Sequence, residues 1–182
     1  MSLSASKRKD YVRFWFITVD PDVPHDINDI NDTDPLHLAS VIEKALVDQR
    51  GWTSLGYQFM QISSEEGLLA RRNPKNWKYV FHIHLATEKT IKSACGFGGL
   101  NCADLKDNII FINEYLWKNG SEQSGLTLDD YRIYVIMHEI GHLLNRNHNK
   151  CSYNKDDSCP VMYQQTISKG CCKPNPWPLH WE

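Results

Sequence analysis

The sequence has no long apolar run. Its longest uninterrupted stretches, such as Phe14-Trp15-Phe16-Ile17 and Ile109-Ile110-Phe111-Ile112, reach only four or five residues. A membrane-spanning helix needs about 20, so a helical span is excluded. Nor is there a surplus of charge of one sign: 20 Lys+Arg face 22 Asp+Glu, for a formal charge of −2 and a pI near 6.4. Nucleic-acid-binding domains carry a basic excess or stripe. Here the only basic cluster is Lys7-Arg8-Lys9, which reads as a solvated tail, so no nucleic-acid partner is expected. Internal repeats and low-complexity stretches are missing too. With 41% hydrophobic, 11% aromatic and 23% charged residues, the composition excludes a disordered or fibrous chain. At 182 residues the length fits a single domain over residues 1–182, large enough to hold a hydrophobic core.

Cysteine is absent before residue 95; all six follow, at Cys95, Cys102, Cys151, Cys159, Cys171 and Cys172. An even count at short spacings points to disulfides and an oxidising compartment, although six cysteines allow fifteen connectivities. The opening residues lack the apolar core and small-residue cleavage site of a signal peptide. The reading is therefore a secreted protein whose signal is not in this sequence, with an intracellular location left open.

What is present reads as strands and helices in alternation. Tyr11 to Val19 is rich in aromatic and β-branched residues and stops at Asp20-Pro21, the pattern of a strand. Asp34-Pro35 starts a helix, with an acid at the cap and proline in the first turn. That helix runs from Leu36 to Gln49, and Gly51 closes it. Tyr57 to Ile62 and Asn108 to Asn113 read as further strands. In Tyr79 to Leu85, Phe81, Ile83 and Leu85 alternate with His82 and His84. The fold class is accordingly α/β or α+β.

The last helix, Leu128 to Leu144, opens with a Thr127-x-x-Asp130 cap and is apolar nearly all round. A helix of that kind lies in a protein interior, yet it carries His138-Glu139-Ile140-Gly141-His142. Histidines four apart stand on one face, one turn above the other, so both imidazoles can meet one ion. Glu139 sits about 100° round the axis, beside the ion, where it suits a general base acting on water. With eight His and eight Glu in the chain, chance produces H-E-x-x-H about 1.5% of the time, and the further His148 at its offset lowers this below roughly 0.1%. A straight helix would carry His148 off the shared face. The chain must turn near residue 145, where Asn145 tolerates positive φ almost as glycine does. Three neutral imidazoles leave the fourth tetrahedral position open, as in a catalytic zinc rather than a closed structural one.

His138-Glu139-x-x-His142-x-x-Asn145-x-x-His148, followed by Met162 within Cys159-Pro160-Val161-Met162-Tyr163, resembles the metzincin clan of zinc peptidases. Most members have glycine where Asn145 stands. A closer resemblance, over roughly residues 15–178, is to an uncharacterised family of predicted secreted bacterial metzincins. It is carried by Arg50-Gly51-Trp52-Thr53, Val80 to Ala86, the cysteine loop 95–102, Tyr131-Arg132, Pro160-Val161-Met162 with Gln165-Thr166, and Pro174-Asn175-Pro176-Trp177-Pro178. The resemblance implies a twisted mixed sheet with a backing helix and an active-site helix, giving an upper subdomain of about 10–145. A small irregular lower subdomain would follow over about 146–182. It also implies one catalytic Zn2+ on His138, His142 and His148, the Met162 turn beneath it, and a monomeric enzyme acting on peptide or protein.

Other expectations come partly from the same resemblance and partly from spacing and composition. Metzincin substrates lie extended along an edge strand, and Val80 to Ala86 is the candidate here, with His82 and His84 flanking the cleft. Tyr163 comes one residue after the methionine, where some members carry an oxyanion-stabilising tyrosine two residues after, so it reads as packing. The Cys95–Cys102 loop reads as disulfide-closed. Cys151, Cys159, Cys171 and Cys172 read as two disulfides; a second, structural zinc, as in archaemetzincins, fits their spacing poorly. Trp177 is core packing or a pocket wall. Beside a zinc endopeptidase stand two alternatives: a pseudopeptidase that keeps zinc and binds protein without cutting it, and an exopeptidase or other amide hydrolase.

Overall fold

The computed structural model describes residues 11–24, 33–73, 75–151, 156–168, 170 and 172–182. Side-chain alternation sorts the two faces of its sheet. In strands β1 (Val12–Val19), β3 (Val80–Ala86) and β5 (Ile109–Asn113), Trp15, Ile17, Phe81, Ile83, Leu85, Ile110 and Ile112 point to the main core. Their neighbours Phe16, His82, His84 and Phe111 stack on one another on the opposite face, as the two-residue period requires. With β2 (Gln58–Gln61) and β4 (Cys102–Asp104) the order is β2-β1-β3-β5-β4. Strand β1 runs parallel to β2 and β3, and β3 parallel to β5; β4 alone is antiparallel. The protein is thus α/β with a five-stranded mixed sheet.

Two helices cover the core face. The first, α1 (Pro35–Val47), is capped by Asp34, whose carboxylate accepts from the Leu36 N–H, and buries Leu38, Ala39, Ile42, Ala45 and Leu46. Full burial of a side chain such as Ile42 contributes about 1.5–3 kcal/mol. On the opposite face lies α2 (Ser64–Arg71), packed so closely that a Cβ at Gly67 would fall 2.2 Å from the Phe16 ring. Short helices α3 (Glu88–Cys95) and α4 (Glu114–Asn119) precede β4 and follow β5. The second core helix, α5 (Leu128–Leu143), is packed against α1 and the sheet. Beyond it the described residues form no helix or strand, only a single bridge between Ser158 and Lys173. Val161 and Met162 nevertheless belong to the main core.

Sequence reading places the strands β1, β2, β3 and β5 and the helices α1 and α5 within two residues of their observed ends. It passes over α2, α3, α4 and β4. Signals for three of these were there: Ser63-x-x-Glu66 is a reciprocal capping box, Thr87 caps α3, and Asn113 caps α4. One expectation is corrected. Strand β3 is not at an edge; it is hydrogen-bonded to β1 on one side and β5 on the other, so its main chain is spent within the sheet.

Candidate metal centre

Helix α5 is held by its own ends and by buried polar contacts. The Thr127 hydroxyl accepts from the Asp130 N–H, and Asp129 and Asp130 supply negative charge to the first turn, where it offsets the helix dipole. The Trp52 indole N–H donates to the Met137 carbonyl at 2.9 Å, and the Arg132 Nε–H to the Trp117 carbonyl at 2.9 Å. From Tyr134 to Gly141 every residue is buried. The small residue in the motif has a definite neighbour: a Cβ on Gly141 would lie 2.3 Å from Met162 Sδ and 2.9 Å from the Trp52 ring. Met162 therefore packs directly against the helix segment that carries the histidines.

The helix ends as the spacing predicts. Asn145 has φ of 63°, the left-handed conformation of a helix-terminating residue. The Arg146 N–H returns to the Gly141 carbonyl and the Asn145 N–H to that of His142, both at 2.9 Å. This reversal carries His148 back over the helix. Its Nε2 stands 3.1 Å from His142 Nε2 and 3.3 Å from His138 Nε2. The Nδ1 atoms of the two helical histidines are engaged elsewhere: His138 donates to the Val161 carbonyl at 2.7 Å and His142 to the Arg146 carbonyl at 2.9 Å. A carbonyl only accepts, so in each ring the proton sits on Nδ1 and the Nε2 lone pair is free. These lone pairs converge with His148 Nε2 on one point. Zn–N bonds of about 2.0–2.1 Å in a tetrahedron set neighbouring nitrogens about 3.3 Å apart. The donor set, its tautomers and its spacing therefore fit a tetrahedral divalent cation.

Electrostatics agree. Burial lowers the pKa of all three imidazoles, that of His138 to about 3, where its two histidine neighbours lower it further. All three are neutral near pH 7 and able to ligate. Burial alone pushes the Glu139 carboxyl up to about 8; a cation held by the triad would draw it back down. Among the described residues this carboxyl has no hydrogen-bonding partner, and it opens onto the same cavity as the triad. That cavity, about 470 Å³, is lined by His138, Glu139, His142 and His148 below and by Phe97, Leu100, Leu105 and β4 above. A wider cavity of about 560 Å³ lies on the far side of the sheet between α2 and the starts of β1 and β3. Of its titratable groups, Glu66 is spent in the capping box with Ser63, so the chemistry belongs to the smaller cavity.

Residues 18–173 match the model of DUF3152, a family described as proteins of unknown function. The chain belongs to the DUF3152 family. No curated protein matches it. Among solved structures it is similar to a zinc-dependent peptidase from Methanocorpusculum labreanum (strain Z), at 13% identity over 92% of this chain and 96% of that one, with a TM-score of 0.47. At that identity and score the likeness carries no argument about chemistry.

The DUF3152 chain thus brings together His138, Glu139, His142 and His148, with Asn145 turning the chain and Met162 beneath. Other predicted residues lie elsewhere. His82 and His84 sit on the far face of the central strand, where both rings bond the Thr18 hydroxyl at 2.6 Å; they do not flank the cavity. The Tyr163 hydroxyl is directed toward Gly170 and Cys151, and its ring lines neither this cavity nor a neighbouring one. Trp177 packs on the core and under the Arg50 guanidinium, 4.2 Å from its ring centre, away from the triad. Cys95 and Cys102 stand at disulfide distance, as do Cys151 and Cys172, with Cα atoms 6.8 Å and 6.2 Å apart. Cys159 is buried beside the second pair, and Cys171 lies outside the described residues.

Sequence reading assigned no site role to β4, Trp52 or Gln165. Gln165, fully buried, donates to the carbonyls of Pro160 and Asn175 and accepts from the Asn175 N–H. It ties the Met162 turn to the proline-rich segment after it. Nothing in the pair Gln164-Gln165 between Tyr163 and Thr166 announces that role.

Proposed function

We propose that this DUF3152 protein is a zinc-dependent peptidase of the metzincin type that cuts internal peptide bonds, with Glu139 as general base. The observation that carries the reading is the convergence of three imidazole Nε2 atoms on one point, those of the two helical histidines with free lone pairs, and a buried, unbonded carboxyl opening onto the same cavity. When bound, zinc supplies Lewis acidity toward the scissile carbonyl and acidifies water. His138, His142 and His148 hold it, the first two oriented by carbonyls of Val161 and Arg146. Glu139 takes a proton from the attacking water as the new C–O bond forms. It passes that proton to the amine nitrogen as the C–N bond breaks, and ends ionised as it began. A stabilising metal site alone gives no reason to bury a carboxyl with no partner, since such burial costs stability.

The edge strand that borders this cavity is β4, with no strand on its outer side among the described residues. In the proposed reading an extended peptide pairs with its main chain, as in other β-augmented complexes, and takes the role first expected of β3. Ala94, Phe97, Leu100 and Leu105 make that wall apolar. Two cysteine pairs at disulfide distance support action outside the reducing cytosol.

A terminally blocked peptide library, offered to zinc-loaded protein and to Glu139→Ala, tests the proposal. Cutting by the parent with loss of about 10²–10⁴-fold in the variant is expected for a general base. Zinc bound by both and cutting by neither would overturn the peptidase reading and favour a zinc-containing binding module.

A further inference from the structure

A second buried carboxylate bonds to the turn beneath the helical histidines. Glu182 is 7% exposed, and its side chain is met by four N–H donors. Oε2 accepts from the backbone N–H of Val161 at 2.9 Å and of Leu179 at 2.8 Å. Oε1 accepts from the Met162 N–H at 2.9 Å and from the Asn149 side-chain amide at 3.0 Å. Each of these contacts has a position relative to the triad. The Val161 carbonyl is the group that orients His138; Met162 packs against Gly141; Asn149 follows His148 directly, and its own N–H donates to the Met162 carbonyl at 3.0 Å. One carboxylate thus clamps together the turn beneath the helical histidines and the strand of chain that presents the third.

We infer that Glu182 is a positioning residue for the metal centre: its carboxylate fixes the Val161–Met162 turn against the His148 segment, and so sets the geometry of His148 relative to His138. The inference rests on the proposed zinc site. The chemistry of the clamp makes it sensitive to charge and not merely to size. Both oxygens are acceptors for two donors each, so the isosteric amide of Gln would set its NH2 against two N–H groups. Partners that orient metal ligands are worth 10–100-fold in metal affinity.

The test is zinc affinity of the full chain, measured by competition with a chromophoric chelator, together with the d–d absorption of the Co2+-loaded protein. Glu182→Gln is expected to bind zinc about 10–100-fold more weakly and to show an altered Co2+ spectrum, while metal-free parent and variant keep the same far-ultraviolet circular dichroism. An affinity within twofold of the parent and an unchanged Co2+ spectrum would overturn the inference and leave Glu182 a packing residue. Should Glu182→Gln fail to fold, Asn149→Ala decides, because it removes one donor at a half-exposed position. A several-fold weaker zinc affinity supports the clamp and an unchanged one refutes it. A parent that holds no zinc would overturn the metal site itself, an outcome distinct from a parent that binds and variants that bind equally well.

Discussion

Two groups of histidines lie on opposite sides of one sheet, and their surroundings differ in one respect that decides their chemistry. On the far face, His82 and His84 turn ring nitrogens toward the same hydroxyl, that of Thr18, at 2.6 Å each. A hydroxyl has one proton to give and lone pairs to receive, so it satisfies one ring as donor and the other as acceptor. His82 is stacked on Phe16 and His84 meets the edge of Phe111. This pair is a polar seam in an aromatic layer. On the near face, main-chain carbonyls take the Nδ1 protons of His138 and His142 and leave their Nε2 atoms facing His148. Equal residue types therefore give two rings bonded to one shared hydroxyl in one place and ring nitrogens converging on one point in the other. What separates them is the partner: a hydroxyl that donates to one ring and accepts from the other, or carbonyls that can only accept.

The largest expected effect that follows is on metal affinity. His142→Ala should weaken zinc binding by more than about 100-fold, since it removes a ligand and not just a ligand's support. His84→Ala should leave it within twofold. Chelator competition on both variants measures the contrast, and equal losses would erase it. A smaller effect comes from the two glycines that let each side pack closely, Gly141 against Met162 and Gly67 against Phe16. Overfilling either should cost about 1–3 kcal/mol in urea unfolding of the metal-free protein. Only Gly141→Ala should also weaken zinc binding, because Met162 cannot move without disturbing the turn that orients His138.

A comparable or smaller effect is one of pH. Burial holds His82 down to about 3, against 6.5 for the solvated ring. The unfolded chain therefore takes up this proton first as pH falls, and stability linked to His82 is present above about 6.5 and is lost progressively toward 3. The slope is at most about 1.4 kcal/mol per pH unit. Unfolding of metal-free parent at pH 5 and pH 7.5, beside His82→Asn, should show a larger acid loss in the parent. A variant as acid-sensitive as the parent would remove His82 from the account.

Much of the near-face site was legible in the sequence. His138 and His142 share a face because the helical period is local, and the chain turns at Asn145 because that residue tolerates φ of 63°. The alternation of β3 was legible as well, but not its place in the sheet. Alternation says which side chains share a face and nothing about how many neighbours a strand has. Hence Val80–Ala86, read as an edge, is central, while the three-residue β4 (Cys102–Asp104), too short to show a period, holds the edge beside the cavity. The cysteines divide in the same way. Cys95 and Cys102 close a loop within one short segment; the partner of Cys151 proves to be Cys172, 21 residues on, a choice that spacing leaves open.

The sequence by itself determined the candidate ligands, the candidate base and the turn between them, because each depends on residues within about one or two helical turns of its neighbours. Only the tertiary structure decided which nitrogen of each helical histidine is free, which strand borders the cavity and which acid accepts from the Val161–Met162 turn. The carbonyl that settles the His138 tautomer belongs to Val161, and the carboxylate that holds Val161 belongs to Glu182, 21 residues further along. No periodicity links such positions. They are joined by the need of each buried N–H, carbonyl and carboxylate for a partner, and that need is met only where the folded chain brings donors and acceptors together.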